Sequence, residues 1–286
     1  MKMTTAFCPG HITCFFHPVK TGDLMTSGSR GVGIKLSKGA TVTLEERNDG
    51  KIITIMDGKE TDCAITKMAI REIDPERGYD VTILNDLPVG QGFGMSAAGS
   101  IAAALCACEF TGKGLQDAFV AAHCSEIRGG GGYGDVSGIT GKSHFPVRSV
   151  AGLPPYGKVI DSGLKMDMSV AILGGPLNTG DTLADEKISA RIQEMGSRFV
   201  TDFIASPSFD SLFRYSEEFS ESIGIETPEI TSSLAELRKE GNAGMCMLGH
   251  SIYTDISPDR VKEILGDVDV IGCRSTDSMP SIIRRG

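Results

Sequence analysis

Three glycines and a serine at alternating positions are the clearest candidates for chemistry in this chain. Gly90, Gly92 and Gly94 precede Ser96 in the segment Leu-Pro-Val-Gly-Gln-Gly-Phe-Gly-Met-Ser-Ala-Ala-Gly. Glycines have no side chain that would keep backbone N–H groups away from a ligand. The first turn of a helix offers unpaired N–H donors and the positive end of the helix dipole, so phosphate is a natural ligand there. Ser96 could cap such a helix, ligate Mg²⁺, or do both.

Two elements must position this segment. The β-branched and aliphatic residues from 79 to 85 predict a strand before it. After it, Ala97, Ile101 and Leu105 recur at helical spacing and predict a buried helix over residues 96–110. A flexible connector is the alternative for a glycine cluster seen alone. Its place between a strand and a buried helix favours a phosphate-binding loop.

Two common nucleotide motifs do not fit this loop. The P-loop requires a lysine before the Ser/Thr, and Met95 precedes Ser96 instead. The dinucleotide pattern Gly-x-Gly-x-x-Gly, started at Gly90, meets Met95 where its third glycine is required. A nicotinamide-dependent oxidoreductase is therefore disfavoured.

A second glycine-rich stretch, Arg-Gly-Gly-Gly-Gly-Tyr-Gly, immediately precedes Asp135. Ordering four successive glycines costs conformational entropy, so a passive loop is one interpretation. The other is that the loop lets backbone approach a phosphate and places Asp135 over the reacting centre. A third stretch, predicted as a loop over residues 21–33, contains Arg30, whose planar guanidinium suits a carboxylate.

The remaining pattern predicts more strands and helices. Asn-Asp-Gly at 48–50 lies between two alternating segments, 40–46 and 51–56, and predicts a hairpin. Most of the other apolar patterns have helical spacing. The predicted helices cover residues 64–73, 115–127, 185–205, 209–223 and 228–240.

Composition excludes several classes of function. The 286 residues carry a net charge of −9, which argues against a nucleic-acid partner because a phosphate backbone requires a basic surface. No apolar run is long enough to span a membrane, and Pro9 and His11 interrupt any signal-peptide core. Eight cysteines without Cys-x-x-Cys pairs favour reduced thiols over disulfides or zinc, so we expect a cytoplasmic protein.

The segment that begins Pro-Val-Gly-Gln-Gly-Phe-Gly-Met-Ser resembles the ATP loop of the GHMP kinase family, which includes galactokinase, homoserine kinase and mevalonate kinase. That loop usually has two consecutive serines, and Met95 replaces the first of them here. Cys-Pro-Gly-His-Ile-Thr at 8–13 and the segment 242–253 resemble the family's first and third motifs. The residues that the resemblance assigns to ATP binding are Pro88, Gly90, Gly92, Phe93, Gly94, Met95, Ser96, Ala97 and Ala98.

The resemblance implies an α+β fold with the two-domain GHMP kinase architecture. The N-terminal domain, expected over residues 1–164, would be like ribosomal protein S5 domain 2. The C-terminal domain, expected over residues 165–286, would be ferredoxin-like. The pattern itself also favours α+β over a doubly wound sheet, because most strands of the first half precede the central helix.

The same resemblance implies ATP and Mg²⁺, a small-molecule substrate, and roles for individual residues. Ser96 and Glu126 would bind Mg²⁺, and Asp135 would act as the base. His11, in place of the family's basic residue after Pro-Gly, and Arg30 would bind the substrate.

The acceptor implied is the primary hydroxyl of a small hydroxy acid, with pantoate favoured over mevalonate, phosphomevalonate or homoserine. The oligomeric state, including a homodimer, is left open. A non-catalytic ATP-binding sensor or interaction protein is the alternative from another class.

Overall fold

Two sheets organise the part of the chain that the computed structural model describes, residues 2–176 and 186–286. The strands are β1 (Met3–Val19), β2 (Gly28–Arg47), β3 (Ile52–Met56), β4 (Lys59–Glu60), β5 (Gly78–Asn85), β6 (Pro146–Val150), β7 (Lys158–Asp161), β8 (Asp167–Ile172), β9 (Ala243–Met245), β10 (Ser251–Thr254), β11 (Asp269–Arg274) and β12 (Ser281–Arg285). The helices are α1 (Ala64–Ile73), α2 (Met95–Thr111), α3 (Leu115–Arg128), α4 (Asp135–Ile139), α5 (Glu186–Ala205), α6 (Phe209–Ile223), α7 (Pro228–Leu237) and α8 (Pro258–Leu265). This mixture of helices and largely antiparallel sheets confirms the α+β prediction.

The first sheet has the order β12-β1-β2-β5-β3-β4, with β6 beside β2 and β7 beside β6. The predicted hairpin at residues 48–50 is wrong. β5 pairs with β2 over residues 40–47 and separates it from β3, which runs parallel to β5. The tight hairpin instead joins β3 to β4 through Asp57 and Gly58, which both have positive φ as such turns require.

Helix α2 is the central helix of the first half, and residues 97–108 are all buried. Small side chains make this possible, because neighbouring helices and strands can approach its backbone from every side. The predicted helix over residues 96–110 is confirmed and is one residue longer at each end. Gly112 ends it in the left-handed conformation, with φ of 73°.

Strand β2 begins earlier than expected, so the predicted loop over residues 21–33 is wrong in its second half. Gly28 to Gly33 belong to β2 and pair with β1. The register of this pair shifts between Thr13 and Phe15, which leaves Cys14 as an extra residue in β1. Such a bulge changes the face to which the following side chains point.

The second sheet is antiparallel, with the order β11-β8-β10-β9, and helices pack beside it. The predictions of α1 and α6 are confirmed at both ends, whereas α7 ends at Leu237 rather than at residue 240. The predicted helix over residues 185–205 is confirmed from Glu186, and Asp185 lies outside the described residues.

The chain changes sheet between β7 and β8, close to the domain boundary predicted after residue 164. Strand β12 then returns to the first sheet and pairs with β1. The two-domain division stays a prediction. No helix of the described residues has the length and apolar character needed to cross a membrane.

Candidate active site

A cavity of about 590 Å³ opens where both predicted glycine-rich segments meet the strands β1, β2 and β6. It collects the polar side chains of Thr13, Ser29, Ser96, Glu126, Asp135 and Arg148. Of the residues assigned to ATP, the following line the cavity: Gly90, Gly92, Phe93, Gly94, Met95 and Ser96. Pro88, Ala97 and Ala98 do not line it, and the two alanines are buried inside α2.

The first glycine-rich loop is held tightly between β1 and the segment after β9. Gly90, Gly92 and Gly94 all have positive φ, the conformation that favours glycine. A Cβ on Gly92 would lie 2.8 Å from the carbonyl oxygen of Met247, and one on Gly94 would lie 2.8 Å from that of His11. Only glycine permits both the backbone conformation and this close approach.

Helix α2 begins at Met95, with Gly94 at its N-cap position and no side chain capping it. The N–H of Ala98 bonds to the carbonyl of Gly94, so the preceding amides face the cavity end of the helix. Ser96 does not cap the helix. Its hydroxyl donates instead to Oε1 of Glu126 at 2.6 Å.

Glu126 is a buried carboxylate near the end of α3, with 2% of its surface exposed. Besides Ser96, the backbone N–H of Gly132 donates to its Oε2 at 2.9 Å. Burial raises the pKa of Glu126 to about 7, because hydrogen bonds from neutral groups offset only part of the lost hydration. Among the described residues no cationic side chain forms an ion pair with it.

This donor set fits Mg²⁺. The ion prefers hard oxygen ligands and is commonly held by one or two carboxylates together with substrate phosphates and water. Ser96 and Glu126 present a hydroxyl and a carboxylate in direct contact, beside the amides of the glycine loop. A cation would also compensate the buried negative charge.

Asp135 is the first residue of α4 and projects into the same cavity, with 27% of its side chain exposed. Its Oδ1 lies 2.8 Å from Nδ1 of His11. Burial alone would raise the pKa of Asp135, but the hydrogen bond from His11 and the nearby charge of Arg148 outweigh burial and lower it. The carboxylate is therefore ionised at neutral pH.

His11 differs from the prediction that it binds substrate directly. Its ring is fully buried on β1, and burial lowers its pKa, so the imidazole is neutral. The guanidinium of Arg148 lies 3.2 Å from Nε2 and can only donate, so Nε2 accepts. The ring proton is then on Nδ1, which donates to Asp135. His11 orients the carboxylate and has no free nitrogen for a substrate.

Arg30 also differs from the prediction. Its Nε donates to the carbonyl of Ser149, and a second nitrogen approaches the hydroxyl of Thr201. Ser29 lines the cavity and Arg30 does not, because successive residues of a strand point to opposite faces. The geometry gives Arg30 no direct part in the site.

Arg148, on β6, is the residue that the sequence did not reveal. It is fully buried, and one nitrogen donates to Thr13 at 3.3 Å. Its Nε is buried without a hydrogen-bond partner among the described residues. Burial lowers the pKa of Arg148 to about 10, so the guanidinium remains charged at neutral pH. A buried cation at a cavity wall is suited to bind an anionic ligand group.

Glycines of β2 make room for both buried side chains. A Cβ on Gly33 would overlap Nε2 of His11, and one on Gly31 would overlap a guanidinium nitrogen of Arg148. The glycines of the segment Gly-Ser-Arg-Gly-Val-Gly therefore contribute to the site by leaving room for these two side chains, whereas its arginine does not enter the site. Glycines at alternating positions of a strand, here Gly31 and Gly33, indicate that another group approaches the backbone closely. This spacing is the sequence signal for the buried His11 and Arg148.

A smaller, mainly apolar cavity of about 340 Å³ adjoins the first one and shares Ile65, Val89, Met95, Ser96 and Gly129 with it. Its other apolar side chains include Met56 and Ile83. A flat heterocycle attached to a phosphate chain could therefore lie in this cavity while the phosphates contact the glycine loop.

Comparisons with known proteins show which proteins this chain resembles. A family model described as the GHMP kinases N terminal domain matches residues 62–141. A pantoate kinase of Thermococcus kodakarensis is 30% identical, over 93% of this chain and 92% of the relative. A pantoate kinase of Methanocaldococcus jannaschii is 27% identical, over 91% of this chain and 95% of the relative. A solved structure described as a phosphotransferase related to the CoA biosynthesis pathway has a TM-score of 0.89 at 25% identity and covers 99% of both chains.

Proposed function

Because this chain belongs to the GHMP kinase family, we propose that it transfers the γ-phosphoryl group of ATP to the primary hydroxyl of pantoate. The product is 4-phosphopantoate, an intermediate on an archaeal route to coenzyme A. Two archaeal pantoate kinases that align with nearly the whole chain support this acceptor, and so does the related phosphotransferase structure.

ATP would bind across the two adjoining cavities. The amides of the glycine loop and of the first turn of α2 would hold the β- and γ-phosphates. The apolar cavity that includes Ile65 and Met95 would hold the adenine ring. This assignment retains Gly90, Gly92, Gly94 and Ser96 as contacts from the sequence prediction.

Ser96 and Glu126 are the residues that would hold Mg²⁺. When bound, Mg²⁺ neutralises charge on the β- and γ-phosphates. The carboxylate of Glu126 must be ionised to ligate it, and its raised pKa couples proton release to metal binding.

Asp135 would accept the proton of the attacking hydroxyl. Phosphoryl transfer has a loose transition state, so positioning and charge neutralisation supply most of the rate. His11 holds the carboxylate oxygen in place by donating to it, and the buried Arg148 in turn fixes the proton of His11 on Nδ1. The base is thus oriented directly by His11 and indirectly by Arg148, both on strands of the first sheet.

The single structural observation that carries an acceptor with a carboxylate is the position of Arg148 in the same cavity as Asp135. Among such acceptors, the pantoate kinase relatives favour pantoate. The charged guanidinium of Arg148, together with the hydroxyls of Thr13 and Ser29 that line the cavity, would bind the carboxylate of pantoate. An acceptor with a carboxylate a few bonds from its hydroxyl would then contact both groups. Arg148 replaces Arg30 in this role.

The experiment that tests the proposal measures ADP release with pantoate, mevalonate and homoserine under identical conditions. We expect pantoate to give the highest kcat/KM. A higher value with mevalonate or homoserine would contradict the proposed acceptor while leaving the kinase assignment intact. ATP binding without ADP release from any acceptor would instead support a sensor.

We extend the proposal to a reducing, cytoplasmic location, which eight free cysteines support. A homodimer stays a prediction that gel filtration with light scattering would test.

A further inference from the structure

Two aromatic side chains, Phe16 and Tyr133, lie in the part of the cavity where the acceptor would bind. Both line the same cavity as Arg148 and Asp135. Both are uncharged, and the proposed proton transfer does not use them. Their position beside those two groups indicates a role in the fit of the substrate's carbon skeleton.

The bulge at Cys14 places Phe16 in this cavity. Thr13 lines the cavity, and regular alternation along β1 would give the next place on that face to Phe15. The register shift between Thr13 and Phe15 gives it to Phe16 instead. Phe15 contacts a separate aromatic cluster formed by Phe199, Phe203 and Tyr215.

Phe16 lies next to the guanidinium of Arg148. A Cβ built on Gly31 would meet both the Cβ of Phe16, at 2.9 Å, and a nitrogen of Arg148. The ring of Phe16 is held on its other side by an edge contact with Phe219, with 5.8 Å between the ring centroids. It is therefore a fixed apolar surface beside the anion-binding end of the cavity.

Tyr133 belongs to the loop that packs against the same guanidinium. It precedes Gly134, where a Cβ would lie 2.8 Å from Nε of Arg148, and it is two residues from Asp135. The ammonium of Lys20 lies 5.3 Å from the centre of its ring, within the range of a cation–π interaction. Tyr133 therefore lines the cavity while its ring lies beside Lys20.

We infer that Phe16 and Tyr133 form an apolar wall that selects an acceptor with a methyl-branched carbon between its carboxylate and its primary hydroxyl. The inference rests on the proposed function, because pantoate carries two methyl groups on the carbon next to its reacting CH₂OH group. With the carboxylate at Arg148 and the hydroxyl at Asp135, these methyl groups would contact the two rings. Each methyl group would then be recognised by burial against carbon.

The test compares pantoate with 2,4-dihydroxybutanoate, which has the same polar groups and lacks the methyl groups. A hydrophobic pocket discriminates by about 10- to 200-fold per carbon, so the wild type should prefer pantoate by at least tenfold in kcat/KM. Phe16→Ala and Tyr133→Ala should each reduce this preference about tenfold. The ratio of the two kcat/KM values does not depend on how much of the enzyme is folded.

Phe15→Leu is the matched control, because it removes aromatic packing at the adjacent residue and should leave the preference unchanged. Tyr133 is partly exposed, so Tyr133→Ala should fold and give a measurable kcat/KM preference even if Phe16→Ala folds poorly. An unchanged preference in both alanine variants would overturn the inference. If the wild type turns over neither acid, the proposed function itself is overturned. If it turns over pantoate and the alanine variants keep the wild-type preference, only the inference about the apolar wall is overturned.

Discussion

His11 Nδ1 lies 2.8 Å from Oδ1 of Asp135, although 124 positions separate the two residues in the chain. One belongs to the first strand and the other begins a short helix after a run of glycines. The contact supplies a donor to the carboxylate and so keeps it ionised and oriented. Most of the chemistry proposed here depends on that pair and on the guanidinium behind it.

Asp135→Asn should fold normally and lose turnover by about 10²- to 10⁴-fold, the usual contribution of a general base. Asparagine keeps an oxygen that can accept from His11, and the side chain is partly exposed, so stability should change little. ATP affinity should also be close to that of the wild type. Steady-state kinetics with a nucleotide-binding measurement would check this, and near-normal turnover would remove Asp135 as the base.

His11→Ala should shift the pH dependence of turnover. The hydrogen bond from His11 is the main influence that lowers the pKa of Asp135 against its burial. Without it that pKa rises, so the acid limb of the kcat profile should move to higher pH. If His11→Ala only reduced stability, the acid limb of its kcat profile would stay at the wild-type pH. That result would contradict the role of His11 in orienting Asp135.

Glu126→Gln should make the nucleotide-free protein more stable at pH 8 and change its stability little at pH 5. The pKa of Glu126 is about 7 in the folded protein and 4.5 ordinarily, so its stabilising effect is complete below pH 4.5 and is lost as the pH rises through 7. The cost at pH 8 is at most about 3 kcal/mol. Glutamine can accept from the N–H of Gly132 and donate to Ser96, which preserves the local contacts.

Thermal unfolding of both proteins at the two pH values would measure this difference. Adding Mg²⁺ and ATP to the same samples should favour the wild type instead. The wild type should gain stability on addition of the metal, and the variant should gain much less. Equal pH dependence in the two proteins would show that Glu126 does not carry the buried charge.

Gly33→Ala should reduce both stability and turnover, because the added methyl group would overlap the ring of His11. Overpacking of this kind costs about 1–3 kcal/mol. Gly99→Ala is the matched control for stability. Its Cβ would make an ordinary contact 3.9 Å from Ile83 in the interior of α2, where alanine is favoured over glycine by about 0.5–1 kcal/mol.

Denaturant unfolding and kcat of the two alanine variants, measured together, would test the role of the glycine spacing in β2. A Gly33→Ala protein with normal turnover would show that the ring of His11 can move without loss of function.

Local patterns predicted the elements whose identity depends on local spacing. The apolar period of residues 64–73 and 209–223 defines α1 and α6 at both ends. The pairing of β3 depends on β5, which lies further along the chain, so the strong turn signal at residues 48–50 could not reveal it. Strand β12 was missed for the same reason, since its partner is the first strand.

The candidate site shows the same limit. Gly90, Gly92, Ser96, Glu126 and Asp135 could be selected because glycine spacing and family motifs mark them, and all line one cavity. The arginines could not be ranked from sequence, because an arginine in a short strand is normally exposed. What distinguishes Arg148 is its close contact with Gly31 of β2 and with Gly134, a long-range relationship that spacing alone does not show.

The return of β12 to the edge of β1 has a consequence for how the protein is made. Because residues 281–285 pair with residues 4–7, the contact order of the first sheet is high, and such pairings form slowly. During synthesis the edge of β1 stays uncovered until the second sheet has emerged from the ribosome. The first sheet is therefore completed after the second, and until then the open edge of β1 is available for pairing with another chain.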